Sequence, residues 1–151
     1  MSAVTRLFSH SVRALPFAAL LLSACASAPQ PQSATCFHRD EKIERDIGFC
    51  QAVRSGNTLH VSGIVGAGNM DAAVRSVYKR LGEVLAANGL SFSNVVKENV
   101  FATDLDAFIR NKEIRKEFYG KSLPAATWVQ VQRLYLPSFV VEVELTAEYP
   151  K

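Results

Sequence analysis

The sequence predicts an α+β domain: a mixed sheet with two helices packed on one face. Three observations support this class. Several segments alternate apolar and polar residues with the period of two that strands have. Two longer segments place apolar residues three and four positions apart, as amphipathic helices do. Helical and strand segments also alternate in the middle of the chain, and a sheet carrying both helices on one face packs them most economically.

The first strands are predicted from "FCQAVRSGNTLHVSGIVG", residues 49–66, with a turn at 55–57. The first helix follows in "NMDAAVRSVYKRLGEVLAANGL". Asp71 is its predicted N-cap, and Asn88-Gly89 its predicted end.

The next predicted strand covers Val95 to about Thr103, and the second helix lies in "DLDAFIRNKEIRKEFYGKSLP". Asp104 or Asp106 is expected to cap this helix, which should end near Gly120. Its predicted inner stripe is Leu105, Phe108, Ile109 and Phe118.

Two strands are predicted to close the domain, in "ATWVQVQRLYL" and "SFVVEVELTAEY". In the last strand an apolar set alternates with a polar one: Val141, Val143 and Leu145 against Glu142, Glu144 and Thr146. The sheet face opposite the helices is therefore half-polar, and oligomerisation is the expected way to cover it. If a carboxylate on that face points into a cleft, it is a candidate catalytic acid or base.

Residues 1–24 are predicted to be a secretory signal peptide. Arg6 and Arg13 precede an apolar run at 14–22, about half the ~20 residues that span a bilayer. The tetrapeptide "LSAC" at 22–25 resembles a bacterial lipobox, whose cysteine is acylated and becomes the new N-terminus. An ordinary signal peptide is the alternative.

The lipobox resemblance implies that Cys25 is lipidated and anchors the protein to a membrane, facing the periplasm. Ala26, where an aspartate is associated with inner-membrane retention, points to the outer membrane. Residues 25–35 are small, polar and proline-bearing, which predicts a flexible tether before a domain at 36–151.

The charge of the chain argues against nucleic-acid binding. Its net charge is +3, and removal of residues 1–24 takes away two of 17 basic residues and no acids, leaving 15 − 14 = +1. Basic runs interleaved with aromatic residues are also absent from the sequence.

If Cys25 is lipidated, Cys36 and Cys50 remain. In an oxidising compartment they could form a disulfide or stay as two buried thiols, and the sequence leaves both possibilities open. No cysteine–histidine spacing is typical of zinc, so no metal is expected, and His38 and His60 are predicted to be structural.

Three segments in a fixed order resemble the YjgF/RidA superfamily of reactive-intermediate deaminases. They are "GFCQAVRSGNTLHVSG", "NVVKENVFATDLDAF" and "LPAATWVQVQRL" with the later "VVEVEL". The resemblance covers residues 35–149. It implies a chorismate-mutase-like α+β fold, with a mixed six-stranded sheet and two helices on one face, and a homotrimer with the helices outside and a cleft at each subunit boundary. The better-known members hydrolyse 2-imino acids from pyridoxal-phosphate enzymes without a metal or cofactor, so none is expected here.

The resemblance also assigns site residues. Glu142 matches the glutamate that positions or activates the attacking water, and Glu144 is expected at the rim. The family's Pro-Ala-Arg-Ser/Thr stretch, whose arginine clamps the substrate carboxylate, is "PAAT" here. Ala126 therefore stands in place of that arginine, between Ala125 and Thr127, and the bulky Trp128 follows.

Other substrate-binding positions match the family only in part. Phe49 replaces a pocket tyrosine, and Ile64 replaces a frequent glutamine. Gln51 and the pair Ser62-Gly63 agree with the family pattern, as does Arg133, which is commonly structural there.

Two functions follow as hypotheses. The favoured one is a trimer that binds a small molecule in its clefts without the carboxylate clamp. The alternative is a deaminase that hydrolyses an unusual imine or enamine, with Glu142 handling the water. The expected location supports the first, because enzymes that release 2-imino acids are mainly cytoplasmic.

Overall fold

A computed structural model of the protein describes residues 34–151. The predicted signal peptide, Cys25 and nearly all of the predicted tether lie outside these residues. The described chain forms six strands and four α-helices: β1 Thr35–Phe37, α1 Glu41–Ile47, β2 Ala52–Ser55, β3 Thr58–Ala67, α2 Met70–Ala87, β4 Val95–Ala102, α3 Leu105–Arg110, α4 Lys112–Tyr119, β5 Ala125–Gln130 and β6 Phe139–Glu148. A single 3₁₀ turn, Phe92–Asn94, precedes β4.

The strands form one six-stranded sheet in the order β1-β2-β3-β6-β4-β5. Strands β4 and β5 are parallel, and the other neighbouring pairs are antiparallel. The predicted mixed six-stranded sheet is therefore confirmed. The last strand in the chain, β6, lies at its centre between β3 and β4, so each side chain of β6 has neighbours on both sides.

The core lies between the sheet and α2. The buried side of α2 consists of apolar residues at helical spacing: Ala73, Val74, Val77, Tyr78, Leu81, Val84 and Leu85. They face Val141, Val143 and Leu145 of β6, all at most 3% exposed. Gly66 allows the close approach, because a Cβ there would lie 2.9 Å from the Cβ of Ala73.

Helix α2 begins earlier than predicted. Its N-cap is Asn69, whose side chain accepts a hydrogen bond from the backbone N–H of Ala72 at 2.9 Å. The prediction of Asp71 as the cap is wrong: it lies in the first turn and pairs with Arg75 at 3.5 Å. The cause is Met70, which is buried and already helical, so the cap must precede it. The predicted end at Asn88-Gly89 is confirmed by Asn88 as the C-cap and by Gly89 at φ 73°.

The second predicted helix is two helices, α3 and α4, which meet at Asn111. The Asn111 side chain donates to the carbonyl of Ala107 at 2.9 Å, a local bond by which asparagine competes with a continuous helix. Asp104 is the N-cap of α3. Phe108 is fully buried, as predicted. Ile109 is 39% exposed, so the prediction that it belongs to the inner stripe is wrong.

Helix α1 was not predicted, although its capping residues are visible in the sequence. Asp40 caps its first turn through the N–H of Ile43, and Gly48 ends it at φ 94°. Within residues 34–151, no helix has the length and apolar character needed to cross a membrane.

Candidate functional site

Glu142 lies on β6 with its side chain on the sheet face opposite the helices. Its neighbours Val141 and Val143 are fully buried against the helices, so the alternation of the strand turns Glu142 the other way. A cavity of about 430 Å³ opens there. It is lined by Phe101, Val131, Arg133, Leu134, Tyr135, Glu142 and Glu144. One strand face therefore supplies both carboxylates of the cavity.

A bulge in β3 makes room for the Glu142 carboxylate. The register between β3 and β6 shifts between Val61 and Ile64, at the Ser62-Gly63 pair. A Cβ on Gly63 would overlap the Oε1 atom of Glu142. Only glycine at position 63 lets the side chain lie in this place.

Gln51 and Ser62 hold the bulge rather than project freely. The Ser62 hydroxyl donates to the carbonyl of Cys50 at 2.7 Å, and the Gln51 amide donates to the carbonyl of Ser62 at 3.2 Å. Both predicted binding residues thus have internal partners that fix the backbone beside Glu142. Ile64, another family departure, faces the core and is 4% exposed.

Burial raises the pKa of Glu142, and the negative charge of Glu144 raises it further. Glu144 lines the same cavity, and it accepts a hydrogen bond from the Asn99 side chain at 2.7 Å. A carboxyl group whose pKa is raised is better suited than an ordinary carboxyl group both to take up a proton and to release it.

The residues at the family's clamp lie on the edge strand β5. Ala126 pairs with Glu98 in the parallel ladder, and Trp128 pairs with Val100. Trp128 faces the helices: its ring meets Phe108 edge-on with centroids 5.1 Å apart. Within one chain, Ala126 and Trp128 are therefore on the sheet face opposite Glu142, and the structure does not bring these predicted residues together.

Thr127 points to the other face of β5, as its position between Ala126 and Trp128 requires. Its hydroxyl oxygen accepts a hydrogen bond from the Lys97 ammonium at 2.6 Å. Thr127 thus lies on the same sheet face as Glu142, two strands away.

A buried polar cluster that the sequence did not predict lies next to Ala126. Glu98, 0% exposed, accepts hydrogen bonds from the hydroxyls of Tyr78 and Tyr119, both at 2.7 Å, and from the Trp128 indole at 3.1 Å. The Arg115 guanidinium, also buried, lies 3.0 Å from the same carboxylate. The alternation of Glu98 with the inward-facing Val100 and Ala102 was the signal that could have placed it inside.

The polar groups of this cluster find their partners within it. Burial raises the pKa of both tyrosines, and the adjacent Glu98 carboxylate raises them further, so both hydroxyls stay protonated donors. Burial acts to lower the pKa of Arg115, but the charge of Glu98 outweighs it and the pKa is raised. Arg115 therefore keeps its positive charge beside Glu98.

Phe49 lies at a separate cavity of about 440 Å³ beside the end of α1, lined by Cys36, His38, Arg45, Gly48, Phe49 and Cys50. Cys36 and Cys50 are joined there by a disulfide, with Cα atoms 5.6 Å apart. Among the described residues, the side chains of Cys36, His38 and Cys50 are close enough together to hold a metal ion.

Comparisons with known proteins agree on one family. The family model described as "Endoribonuclease L-PSP" matches residues 40–149. "Reactive Intermediate Deaminase A, chloroplastic" of Arabidopsis thaliana is 30% identical over 93% of this chain and 77% of its own length. The 2-iminobutanoate/2-iminopropanoate deaminase of Mus musculus is 36% identical over 66% of this chain and 79% of its own length.

Solved structures show the same fold. A member of the YjgF/YER057c/UK114 family from Mycobacterium tuberculosis has a TM-score of 0.71 at 28% identity, over 78% of this chain and all of its own. RidA from an Antarctic Psychrobacter has a TM-score of 0.64 at 31% identity, over 68% of this chain and 89% of its own.

Proposed function

The chain belongs to the YjgF/RidA family, and we propose that within it the protein binds a small neutral molecule in clefts between the subunits of a homotrimer. The observation that carries this proposal is the environment of Ala126. Its neighbour across the ladder is Glu98, a buried carboxylate. A 2-imino acid would instead need a free cation at this place to bind its own carboxylate.

The guanidinium beside Glu98 is already engaged. Arg115 lies 3.0 Å from the Glu98 carboxylate and is 6% exposed. Arg133 is exposed and lines the cavity of Glu142 and Glu144, on the other face of the sheet from Ala126. A ligand carboxylate beside Ala126 would therefore lose its hydration without gaining a free guanidinium of the same chain, which disfavours anionic ligands by about 2–5 kcal/mol relative to a clamped site. A neutral ligand avoids this cost.

In the proposed trimer, Glu142 of one subunit and Ala126 of the next line the same cleft. Glu142 and Ala126 occupy opposite faces of one sheet, so a cleft that contains both requires residues of two subunits. The face that bears Glu142 also carries Phe101 and Asn99, which are only partly buried in the single chain. Multi-angle light scattering of the full chain in detergent should give three times the monomer mass; a stable monomer contradicts the shared cleft.

A matched pair of probes tests the ligand class. 2-Oxobutanoate and 2-oxobutanamide have the same size and differ in one charge. We expect calorimetry to show at least tenfold tighter binding of the neutral amide, and weakening of that binding by Glu142→Leu. Tighter binding of the keto acid contradicts the proposal, since it would require a free carboxylate clamp. Arg133→Gln and Arg115→Gln would then identify the cation.

Hydrolysis of an imine or enamine is the second candidate function. The raised pKa of Glu142 in its cavity favours it, because such a group can deprotonate a water and then protonate a leaving nitrogen. Ammonia release from neutral imines with the native protein, lost in Glu142→Gln, would establish it. Binding without turnover leaves the first candidate.

We also propose that Cys25 carries a lipid that anchors the protein to the outer membrane, facing the periplasm. The "LSAC" motif after a short apolar run supports this. Mass spectrometry of membrane-extracted protein should find a diacylglyceryl group on Cys25, and Cys25→Ala should move the protein to the soluble fraction. An unmodified protein cut elsewhere contradicts it.

A further inference from the structure

Cys36, His38 and Cys50 meet at the edge of the sheet where β1 pairs with β2. Their candidate ligand atoms all lie within 4.8 Å of one another. The Cys36 sulfur is 3.2 Å from Nε2 of His38. This cluster is separate from Glu142, which lies on β6, and nothing in the proposed binding of a small molecule uses it.

Glu44 fixes the orientation of His38. Its carboxylate Oε2 lies 2.8 Å from Nδ1 of His38. Glu44 is 3% exposed, and it accepts further hydrogen bonds from the backbone N–H groups of Arg39, Asp40 and Gln51. Because the carboxylate accepts all of these bonds, Nδ1 carries the proton and the lone pair of a neutral imidazole is on Nε2, toward the sulfurs.

A buried carboxylate that holds a histidine by one ring nitrogen and frees the other is the usual outer shell of a zinc site. Two thiolates and one imidazole nitrogen are ligands that zinc prefers, at about 2.3 Å from sulfur and 2.0–2.1 Å from nitrogen. Here the hydrogen bonds that Glu44 accepts come from His38 and from backbone N–H groups, and they do not involve the sulfur atoms of the cysteines. These hydrogen bonds are anchored in the backbone on both sides of α1.

We propose that reduction of the Cys36–Cys50 disulfide converts this cluster into a zinc site with Cys36, Cys50 and His38 as ligands. A dithiol reductant supplies two electrons and two protons, which break the S–S bond and leave two thiols, while the reductant becomes a disulfide. Zn²⁺ then displaces the two thiol protons and binds both sulfurs and Nε2 of His38.

The required movement is small. Two sulfurs bound to one tetrahedral zinc lie roughly 3.8 Å apart, and side-chain rotation can open this gap between Cα atoms that are 5.6 Å apart. The cavity of about 440 Å³ lined by Arg45, Gly48 and Phe49 adjoins the cluster. The fourth zinc ligand is a water from this cavity, and a small anion or thiol that enters the cavity can replace it.

Metal binding is tested on the full chain with Cys25→Ser, in which Cys36 and Cys50 are the only cysteines left of three. The phosphine-reduced, anaerobic protein should take one Zn²⁺ per chain from a chromophoric chelator, whereas the oxidised protein takes none. Co²⁺ in its place should give the visible bands of a tetrahedral ion and a near-ultraviolet thiolate band. A reduced protein that binds no metal, or a six-coordinate cobalt spectrum without the thiolate band, overturns the proposal.

The Zn²⁺ affinities of single variants distinguish binding at this site from binding elsewhere on the surface. His38→Ala should weaken Zn²⁺ binding at least a hundredfold, and Glu44→Gln about 10–100-fold. His60→Ala is the control, since this exposed histidine lies on β3, and it should leave the affinity unchanged. Full affinity in His38→Ala overturns the proposal.

Far-UV circular dichroism recorded in each titration decides whether the folded chain binds the metal. The zinc-loaded reduced protein should have the spectrum of the oxidised protein. Zinc bound to a chain that has lost this spectrum overturns the proposal, and so does rapid alkylation of Cys36 that saturating Zn²⁺ does not slow.

Discussion

Gly63 lies against the carboxylate of Glu142 so closely that a Cβ at position 63 would overlap Oε1. The contact joins two features that are 79 positions apart in the chain, a bulge in β3 and the central strand β6. Ser62 and Gln51 hold that bulge through backbone carbonyls. The position of Glu142 is therefore set by the backbone of its neighbour strand rather than by a polar partner side chain.

Gly63→Ala should displace Glu142 and weaken the binding of 2-oxobutanamide at least tenfold. The methyl group must push the carboxylate aside, and overpacking of this kind costs about 1–3 kcal/mol of folding stability. Gly82→Ala in α2 is the matched control, because its new Cβ meets only the ring of Phe92 at 3.2 Å. Calorimetry and urea unfolding measure the two effects. An unchanged affinity in Gly63→Ala would show that the place of Glu142 does not matter for binding.

The pKa of Glu142 should fall in Glu144→Gln. The substitution removes the neighbouring negative charge, while burial, the larger cause, remains, so the pKa should stay above its ordinary value. Carbon-13 NMR titration of the Glu142 carboxyl measures the change, with Glu148→Gln at the exposed end of β6 as the control. A pKa that does not move in Glu144→Gln would exclude the coupling of the two carboxylates.

The same raised pKa predicts how stability depends on pH. The folded state holds the Glu142 proton more tightly than the unfolded state does, so this group's contribution is complete below the unfolded pKa. It is lost as pH rises through the higher folded value. Glu142→Gln should therefore gain stability relative to the native protein as pH rises through that window. Urea unfolding at a series of pH values checks the sign, and the opposite slope would contradict it.

Arg115→Met should destabilise the fold by about 3–5 kcal/mol, because it leaves the Glu98 carboxylate buried without its cation. Adding Glu98→Gln should recover part of this loss. Arg75→Met is the matched control: it breaks a pair with Glu117 at 2.9 Å, but both side chains are at least half exposed, so the loss should be much smaller. Equal losses in the two single variants would mean that burial does not decide the effect.

The sequence predicted the strands well because their signal is local. The alternation around Glu142 gave the correct face of β6, since the period of a strand fixes it whatever the neighbours are. Contacts between distant segments were not predictable in this way. The overlap of Gly63 with Glu142 and the partners of Glu98 depend on strand order, which no single segment encodes.

The cluster of Cys36, His38 and Cys50 shows the same limit. Cys36-x-His38 has no zinc-type spacing, and Cys50 joins it only because α1 reverses the chain between them. The failure at Ile109 has another cause: its spacing from Leu105 predicted a buried position, but in the short helix α3 the buried residue is Phe108. The end of α3 was also missed. The Asn111 side chain bonds to a backbone carbonyl there, and the apolar spacing of the segment did not reveal this end.

An arginine introduced at position 126 should give only a small gain in 2-imino acid hydrolysis. The native protein should hydrolyse 2-iminobutanoate little or not at all, and Ala126→Arg should raise the rate about tenfold at most, the scale of one partly formed charge-assisted contact. The reason lies in the ladder: position 126 pairs with Glu98, whose carboxylate would compete with the substrate for the new guanidinium. Ala126→Lys is the control, since it adds the charge without the planar fork and should gain less.

Second substitutions in the Ala126→Arg protein test the rest of the site. Trp128→Ser should raise the rate further by removing bulk beside the new arginine, although it also removes the indole donor to Glu98 at 3.1 Å and so lowers stability. Glu142→Gln in the same background should abolish the activity, because the attacking water would then lose the proton acceptor proposed for it. Ammonia release from 2-iminobutanoate generated in situ measures each rate. Strong activity in the native protein would contradict the whole scheme, since a carboxylate clamp other than residue 126 would then be at work.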